Sequence, residues 1–510
     1  MAAMKWISIL TICLMTAGAL AQTEPSTEPT AAATTQNDAT GADEKISVTH
    51  HTLTLGGAAI NYQALAGTIT AKDESGKPKA DFFFVAYMKE SGDKPANRPI
   101  TFIFNGGPGA AAVWLHLGCV GPQRIALGSD GIPGAPPYKL IDNDQSWLDL
   151  SDLVFIDPVG TGYSRAAEGQ AKSDFFGVQQ DLESIGNFIR LFLTRYQRWG
   201  SPKFLAGESY GTTRAAALSE LLLDHYGINL NGIVLISTVL NFQTIDTSGS
   251  NDLAYALYLP SYTAIALYHH KIQTADEDKL LAEVSNYATS DYLVALGKGG
   301  ALDKDARADV VAHLARYTGL PPDLIDRADM RVDPDMFRKQ LLADQRMIIG
   351  RFDARISGLD PNPAESEPDY DPSLSLFLPV YAGTFNDYVR SELNYKSDLD
   401  YRILTNDVWP WEYKADQFGS YLDVSKQLRS AMMENPHLKV LVCSGYEDLA
   451  TPYLGTIYTL NHLDLLDRIQ ANITQTFYHS GHMIYHDPAS LKQLKANVAT
   501  FFAAATRAGG

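Results

Sequence analysis

Residues 207–211 read Gly-Glu-Ser-Tyr-Gly, and this pentapeptide constrains the fold more than any other part of the 510-residue chain. An apolar run at 204–206 leads into it, and a helix-forming run at 212–223 leads out of it. A sharp turn from a strand into a helix brings backbones so close together that glycine is needed on both sides of Ser209. The turn leaves the Ser209 hydroxyl exposed at its apex, as a nucleophile would be. Because the pattern also occurs by chance, other parts of the chain must support this interpretation.

Short runs rich in β-branched and aromatic residues predict strands before and after this turn. The predicted strands lie at 60–69, 81–88, 100–104, 153–156, 203–206, 233–237, 439–444 and 473–478. Apolar residues spaced three or four apart between 178 and 193 predict an amphipathic helix that packs on a sheet. This alternation indicates an α/β fold with a mostly parallel central sheet and helices on both faces. Ligands bind such sheets beyond the carboxyl ends of the strands, where Ser209 would stand.

The N-terminal residues predict a secretory signal peptide over 1–21. Lys5 precedes an apolar stretch at 6–17, and Ala19-Leu20-Ala21 is a small-x-small cleavage signal. We therefore expect cleavage near Gln22 and export to a periplasm or to the outside of the cell. Residues 22–45 predict a disordered linker, because Thr, Ala, Pro, Asp and Glu bury too little apolar surface to offset the entropy of ordering.

Composition excludes several kinds of partner. The formal charge of −18 argues against nucleic acid, since binding phosphates requires clustered Lys and Arg. No later segment offers the roughly 20 apolar residues of a membrane span, so stable membrane insertion is not expected.

After removal of the signal peptide, Cys119 and Cys443 are the remaining cysteines, which allows at most one internal disulfide and no metal site built from cysteines. No metal or other cofactor is expected.

A nucleophilic serine needs a histidine that accepts its proton and a carboxylate that orients the histidine. On a fold of this kind the acid and then the histidine follow the serine along the chain. The loops after the last two predicted strands offer suitable residues. We predict Asp448 as the acid and His482 as the base. Glu447 is an alternative acid, and His479 and His486 are alternative bases.

The transition state of acyl transfer develops an oxyanion, which two backbone N–H groups must bind. The amide of Tyr210 is the first predicted donor. The second is expected from a glycine-rich loop after an earlier strand, and residues 105–109 read Asn-Gly-Gly-Pro-Gly directly after the strand at 100–104. Such a loop can also be a plain tight turn. Together with the turn at 207–211 it predicts an oxyanion hole that includes Gly107.

These motifs together resemble the serine carboxypeptidases. In the order of that family the chain carries the glycine loop at 105–109, Gly-Pro at 121–122, Asn-x-x-Ser-Trp at 143–147, Asp-Pro-Val-Gly-Thr-Gly-Tyr-Ser at 157–164, the turn at 207–211, Asp-x-x-x-Pro at 448–452 and Gly-His-Met at 481–483. The resemblance implies an α/β-hydrolase fold and favours Asp448 and His482 as partners of Ser209, with Gly107 and Tyr210 in the oxyanion hole. It also implies the removal of single residues from peptide C-termini by an exported enzyme, here expected to be of bacterial type.

The resemblance also predicts the domain layout. The family carries a variable insertion that covers the active site, and the stretch from 246 to 430 fits this largely helical cap. The α/β-hydrolase core would then consist of residues 46–245 and 431–510.

The family recognises the free carboxylate of its substrate through hydrogen bonds. Its Asn in the glycine loop and its Glu before the nucleophilic serine match Asn105 and Glu208. It often adds a Trp where this chain has Ile103 and a second Glu where it has Cys119. Glu208 would therefore lack an acid partner, and we predict a less acidic pH optimum than is usual in the family. An esterase or acyltransferase is the alternative, because a triad does not distinguish an amide from an ester. A non-catalytic binding protein is a second alternative, which the intact set of predicted catalytic residues disfavours.

Overall fold

The computed structural model describes residues 44–90, 97–413 and 421–507. The predicted signal peptide and nearly all of the predicted linker lie outside these ranges. Glu44, which the sequence placed near the end of the linker, already contacts the folded body, since its buried carboxylate pairs with Arg195 at 2.7 Å. None of the helices in these ranges combines the length and the apolar character needed to cross a bilayer.

The strands are β1 (Ile46–Leu55), β2 (Ala58–Lys72), β3 (Pro78–Lys89), β4 (Ile100–Phe104), β5 (Gln123–Ile125), β6 (Leu140–Asp142), β7 (Asp152–Ile156), β8 (Arg165–Ala166), β9 (Lys203–Ser209), β10 (Gly232–Thr238), β11 (Met347–Ile349), β12 (Ser357–Leu359), β13 (Lys439–Gly445) and β14 (Ile473–Tyr478). The α-helices are α1 (Val113–Leu115), α2 (Val178–Arg195), α3 (Tyr210–Tyr226), α4 (Asp252–Tyr268), α5 (Glu277–Tyr287), α6 (Leu293–Lys298), α7 (Lys304–Thr318), α8 (Pro322–Arg327), α9 (Pro334–Gln340), α10 (Pro372–Ser391), α11 (Ser425–Glu434), α12 (Tyr453–Asn461), α13 (Asp467–Gln470) and α14 (Pro488–Arg507).

The central sheet has the strand order β1-β2-β3-β7-β4-β9-β10-β13-β14, with β8 paired to β3. The pairs of β1 with β2, β2 with β3 and β3 with β7 are antiparallel. From β7 to β14 every neighbouring pair is parallel. The mostly parallel sheet predicted from the sequence is therefore confirmed. Because parallel strands end at one edge of a sheet, the loops after β9, β13 and β14 meet there.

Helices cover both faces of this sheet, as predicted. β4 and β7 are buried along their whole length, which is why apolar residues dominate both, with Thr101 and Asp152 as the polar exceptions. On one face, the ring of Phe102 in β4 packs against Phe192 of α2, with ring centroids 5.7 Å apart. On the other face, Phe204 of β9 stacks on Phe502 of α14 at 4.1 Å. The two faces belong to separate hydrophobic clusters.

The chain between β10 and β13 is largely helical and contains a third hydrophobic cluster, to which α4 to α9 contribute. The short antiparallel pair β11–β12 lies between α9 and α10. Helix α11 packs against α3 of the core. It begins at Ser425, a few residues before the boundary of the cap that the sequence predicted at residue 430.

Candidate active site

Ser209 lies at the junction of β9 and α3, and its backbone is strained. Its φ of 60° and ψ of −131° are a conformation that non-glycine residues seldom adopt. Glycines permit the tight turn around it: a Cβ on Gly207 would lie 2.1 Å from the carbonyl oxygen of Gly211, and one on Gly211 would lie 2.8 Å from that of Phe104. This geometry is a nucleophile elbow, and it presents Ser209 at the wall of a pocket.

The structure brings Asp448 and His482 together. His482 Nδ1 lies 2.7 Å from Asp448 Oδ2, and both side chains are buried. The other carboxylate oxygen, Asp448 Oδ1, accepts the N–H groups of Ala450 at 2.7 Å and of Thr451 at 3.0 Å. These bonds fix the plane of the carboxylate, which in turn fixes the imidazole. His482 lines the same pocket as Ser209, and within the described residues its Nε2 makes no hydrogen bond.

The environment of His482 suits a general base. Burial by itself would lower the pKa of the imidazole, but the charge and hydrogen bond of Asp448, with a smaller contribution from Glu208, raise the pKa above its ordinary value. Asp448 is therefore placed to stabilise a protonated His482 imidazole.

The alternative residues lie elsewhere. Glu447 is buried with His479 Nδ1 at 3.7 Å, and these two residues line a different pocket. His486 stacks on Phe377 at 3.7 Å between ring centroids, and burial lowers its pKa to about 3. None of the three alternatives is among the residues that line the pocket of Ser209.

Gly107 and Tyr210 line the pocket beside Ser209. The glycine loop presses directly on the elbow, because a Cβ on Gly106 would lie 2.4 Å from the Tyr210 nitrogen. Gly107 has a φ of +98°, which glycine adopts without strain. The two backbone segments that carry the predicted oxyanion donors are thus in contact at the nucleophile.

Asn105 and Glu208 form a buried pair in the same pocket, in which Asn105 Nδ2 donates to Glu208 Oε1 at 2.9 Å. Burial raises the pKa of Glu208 to about 7 against the opposing influence of His482 and of nearby hydrogen-bond donors. Burial raises the pKa of the Cys119 thiol, and the charge of Glu208 raises it further. Cys119 and Cys443 are both buried free thiols.

Sequence reasoning missed two groups of residues at this site. Thr451 lines the pocket and its hydroxyl donates to Asp448 Oδ2 at 2.7 Å. Residues 351–354, here called the strap, follow β11 and hold both catalytic loops through backbone hydrogen bonds. The carbonyl of Arg351 accepts Leu449 N–H at 3.1 Å, and the carbonyl of Phe352 accepts His482 N–H at 2.5 Å. No sequence pattern indicates hydrogen bonds between backbone groups that lie so far apart in the chain.

The family model described as serine carboxypeptidase matches residues 58–501. Serine carboxypeptidase-like 46 of Arabidopsis thaliana is 28% identical over 194 residues, which cover 36% of this chain and 38% of that protein. Pheromone-processing carboxypeptidase KEX1 of Saccharomyces cerevisiae is 30% identical over 160 residues, which cover 30% of this chain and 21% of that protein. The matches thus span well under half the length of these two curated relatives.

Among solved structures, the crystal structure of Kex1(Δ)p, a prohormone-processing carboxypeptidase from Saccharomyces cerevisiae, matches with a TM-score of 0.56. The match covers 86% of this chain and 91% of that chain at 18% identity, and it supports the α/β-hydrolase fold. Since the family model spans most of the sequence and its motifs meet in one pocket, the chain belongs to the serine carboxypeptidase family.

Proposed function

We propose that this protein is a serine-type carboxypeptidase that hydrolyses peptides from the C-terminus through an acyl-enzyme on Ser209. One observation carries the proposal: the strained Ser209 shares its pocket with the His482–Asp448 pair and with the buried Asn105–Glu208 pair. The first pair supplies nucleophilic catalysis, and the second supplies hydrogen bonds for a free carboxylate.

In the proposed reaction, Ser209 Oγ attacks the last peptide carbonyl while His482 Nε2 takes the hydroxyl proton. The N–H groups of Gly107 and Tyr210 bind the oxyanion that develops. Collapse of the tetrahedral intermediate breaks the C–N bond, and His482 gives its proton to the leaving amino group. A water molecule then attacks the ester, with His482 again as base, and releases the shortened peptide and free Ser209.

Recognition of the C-terminus is proposed to require the protonated form of Glu208. A neutral carboxyl donates a hydrogen bond to the substrate carboxylate, whereas an ionised one would repel it. Because burial raises the pKa of Glu208 to about 7, this carboxyl keeps its proton in mildly acidic solution without a second acid beside it. Asn105, held by Glu208, would supply the second donor.

The test is release of the terminal amino acid from a blocked peptide with a free carboxyl group, compared with its C-terminally amidated twin, with Ser209→Ala as the control. Release from the free acid alone, lost in Ser209→Ala, is expected. Cleavage of neither peptide, together with hydrolysis of a simple ester by the wild type, would establish the alternative esterase or acyltransferase. Absence of fluorophosphonate labelling at Ser209 would instead favour the non-catalytic binding protein.

The same proposal includes the site of action and the layout of the chain. We expect an exported enzyme of bacterial type, cleaved near Gln22, although the relatives named above come from a plant and a yeast. N-terminal sequencing of the protein recovered outside the cytoplasm tests this expectation. Residues 246–430 are proposed to form the cap, with peptide or protein C-termini as the substrates that enter beneath it.

A further inference from the structure

Arg351 brings to the pocket of Ser209 a positive charge that is unpaired within the part of the chain that the structure describes. It belongs to the strap, lines the pocket and is exposed. Its guanidinium lies over the ring of Phe352, 5.6 Å from the ring centroid. Within the described ranges the guanidinium has no ion pair, although the chain carries 59 acidic side chains against 41 Lys and Arg. A cation left unpaired in so acidic a protein is available for a ligand.

The charges around the pocket favour an anionic ligand at this position. Among the lining residues that the structure describes, Arg351 is the single Lys or Arg, and Glu208 is the single carboxyl group. Glu208 is buried and already bonded to Asn105, so it does not neutralise the guanidinium. The planar guanidinium of an arginine binds a carboxylate through two parallel hydrogen bonds, and stacking on an aromatic ring leaves its N–H edge free for that contact.

The backbone of Arg351 is fixed relative to the catalytic residues. Its N–H donates to Asp371 Oδ2 at 2.9 Å, and its carbonyl accepts the N–H of Leu449, which follows the acid Asp448. The ring of Phe352, on which the guanidinium rests, lies 5.3 Å from the His482 ring. Phe352 thus neighbours both the guanidinium and the His482 ring, and all three residues line the pocket of Ser209.

We propose that Arg351 is a specificity residue that binds the side-chain carboxylate of an Asp or Glu in one of the two residues flanking the cleaved bond. This inference rests on the proposed carboxypeptidase function, in which Asn105 and Glu208 take the terminal carboxylate. Arg351 is then left for a second carboxylate, and the enzyme prefers acidic peptides.

The test uses four blocked peptides with free C-termini, ending in Ala-Glu, Ala-Gln, Glu-Ala and Gln-Ala. In one of the two matched pairs, kcat/KM for the Glu peptide is expected to exceed that for the Gln peptide about tenfold, which is about 1.4 kcal/mol. Arg351→Met should bring kcat/KM for the Glu peptide down to that for the Gln peptide in the same variant, while Arg351→Lys should keep part of the preference. Arg346→Met is the matched control, because Arg346 is exposed and lies outside the pocket lining.

A binding measurement separates this inference from the proposed function. The Ser209→Ala variant is titrated calorimetrically with the same peptides, alone and combined with Arg351→Met. Tighter binding of Glu than of Gln peptides that is lost in the double variant supports the role of Arg351 even if the wild type cleaves none of them. Equal binding of Glu and Gln peptides would overturn it. Equal weakening of all free-acid peptides by Arg351→Met, with the amidated twins unaffected, would also overturn it, because Arg351 would then bind the terminal carboxylate.

Discussion

The hydroxyl of Thr451 donates a hydrogen bond to Asp448 Oδ2, the same oxygen that binds His482 Nδ1. Thr451 Oγ1 also lies 3.3 Å from His482 Nδ1. The threonine thus holds the acid in the plane that the imidazole needs, and it does so from the wall of the pocket. In the proposed reaction Thr451 would act through Asp448, as a positioning residue.

Thr451→Val keeps the shape of this side chain but removes the donor. We expect kcat to fall about tenfold, the equivalent of one lost charge-assisted hydrogen bond, with KM little changed. Thr451→Ser should restore most of kcat, because it retains the hydroxyl. Steady-state kinetics on an ester and a peptide test this expectation, with the melting temperature of each variant as the control. Equal losses in the Val and Ser variants would assign the effect to packing.

Asp448→Asn should lower kcat about 10⁴-fold, because an amide favours the imidazole tautomer that cannot accept the Ser209 proton. The matched control is Glu447→Gln, the neighbouring residue that the sequence left as an alternative acid. Its side chain faces His479 rather than His482, so kcat should stay close to that of the wild type. A large loss of kcat in Glu447→Gln with full activity in Asp448→Asn would reverse the assignment.

The activity on free-acid peptides should fall on both sides of an optimum pH. On the acid side, kcat/KM falls as pH drops through the pKa of His482, which lies above its ordinary value, because a protonated imidazole is not a base. On the alkaline side, KM for free-acid peptides should rise above about pH 7, where Glu208 loses its proton. Esters without a carboxylate should lack the alkaline limb, and Glu208→Gln should remove it for peptides. A peptide optimum near the ordinary pKa of glutamate, about 4.3, would contradict this prediction.

Arg214 links the glycine loop at 105–109 to helix α2 through a hydrogen bond and an ion pair. Its guanidinium pairs with Asp181 at 2.7 Å and donates to the Asn105 carbonyl oxygen at 2.7 Å, with both charged side chains buried. Arg214→Met should lower the free energy of unfolding by about 3–5 kcal/mol, since Asp181 would be left buried without its partner. The loss should be smaller at low pH, where Asp181 is protonated. Urea unfolding of Arg214→Met and of Arg214→Met/Asp181→Leu tests this, and the double variant should recover part of the loss.

The parallel half of the sheet was predictable from the sequence for a physical reason. Strands buried on both faces, such as β4, consist mostly of apolar residues, and the turn at 207–211 requires glycines for steric reasons. β1 was not predicted, because His50 and His51 interrupt the alternation of apolar and polar residues that otherwise indicates a strand. Its antiparallel pairing with β2 establishes it as a strand of the sheet.

The sequence predicts those parts of the candidate site that depend on the type of side chain, but not those that depend on its orientation. Asp448 and Glu447 are adjacent carboxylates after one strand, and periodicity alone does not decide which of them faces His482. The structure decides it, since the N–H groups of Ala450 and Thr451 turn Asp448 towards His482. The sequence could not show that Arg351 has no ion pair among the described residues, because this depends on the distances from its guanidinium to the surrounding carboxylates.

The hydrogen bond from His482 N–H to the Phe352 carbonyl joins the proposed base to a part of the chain more than 100 residues before it. Phe352 lies between β10 and β13, so the stretch that we propose as the cap would also hold the proposed base in place. Because a carbonyl group serves as the anchor, the exposed side chain of Arg351 can change while the anchor persists, whereas Asp353 and Ala354 of the strap are buried. In the proposed enzyme, substrate preference can therefore change through Arg351 while His482 keeps its anchor, whereas removal of residues 246–430 would remove that anchor as well.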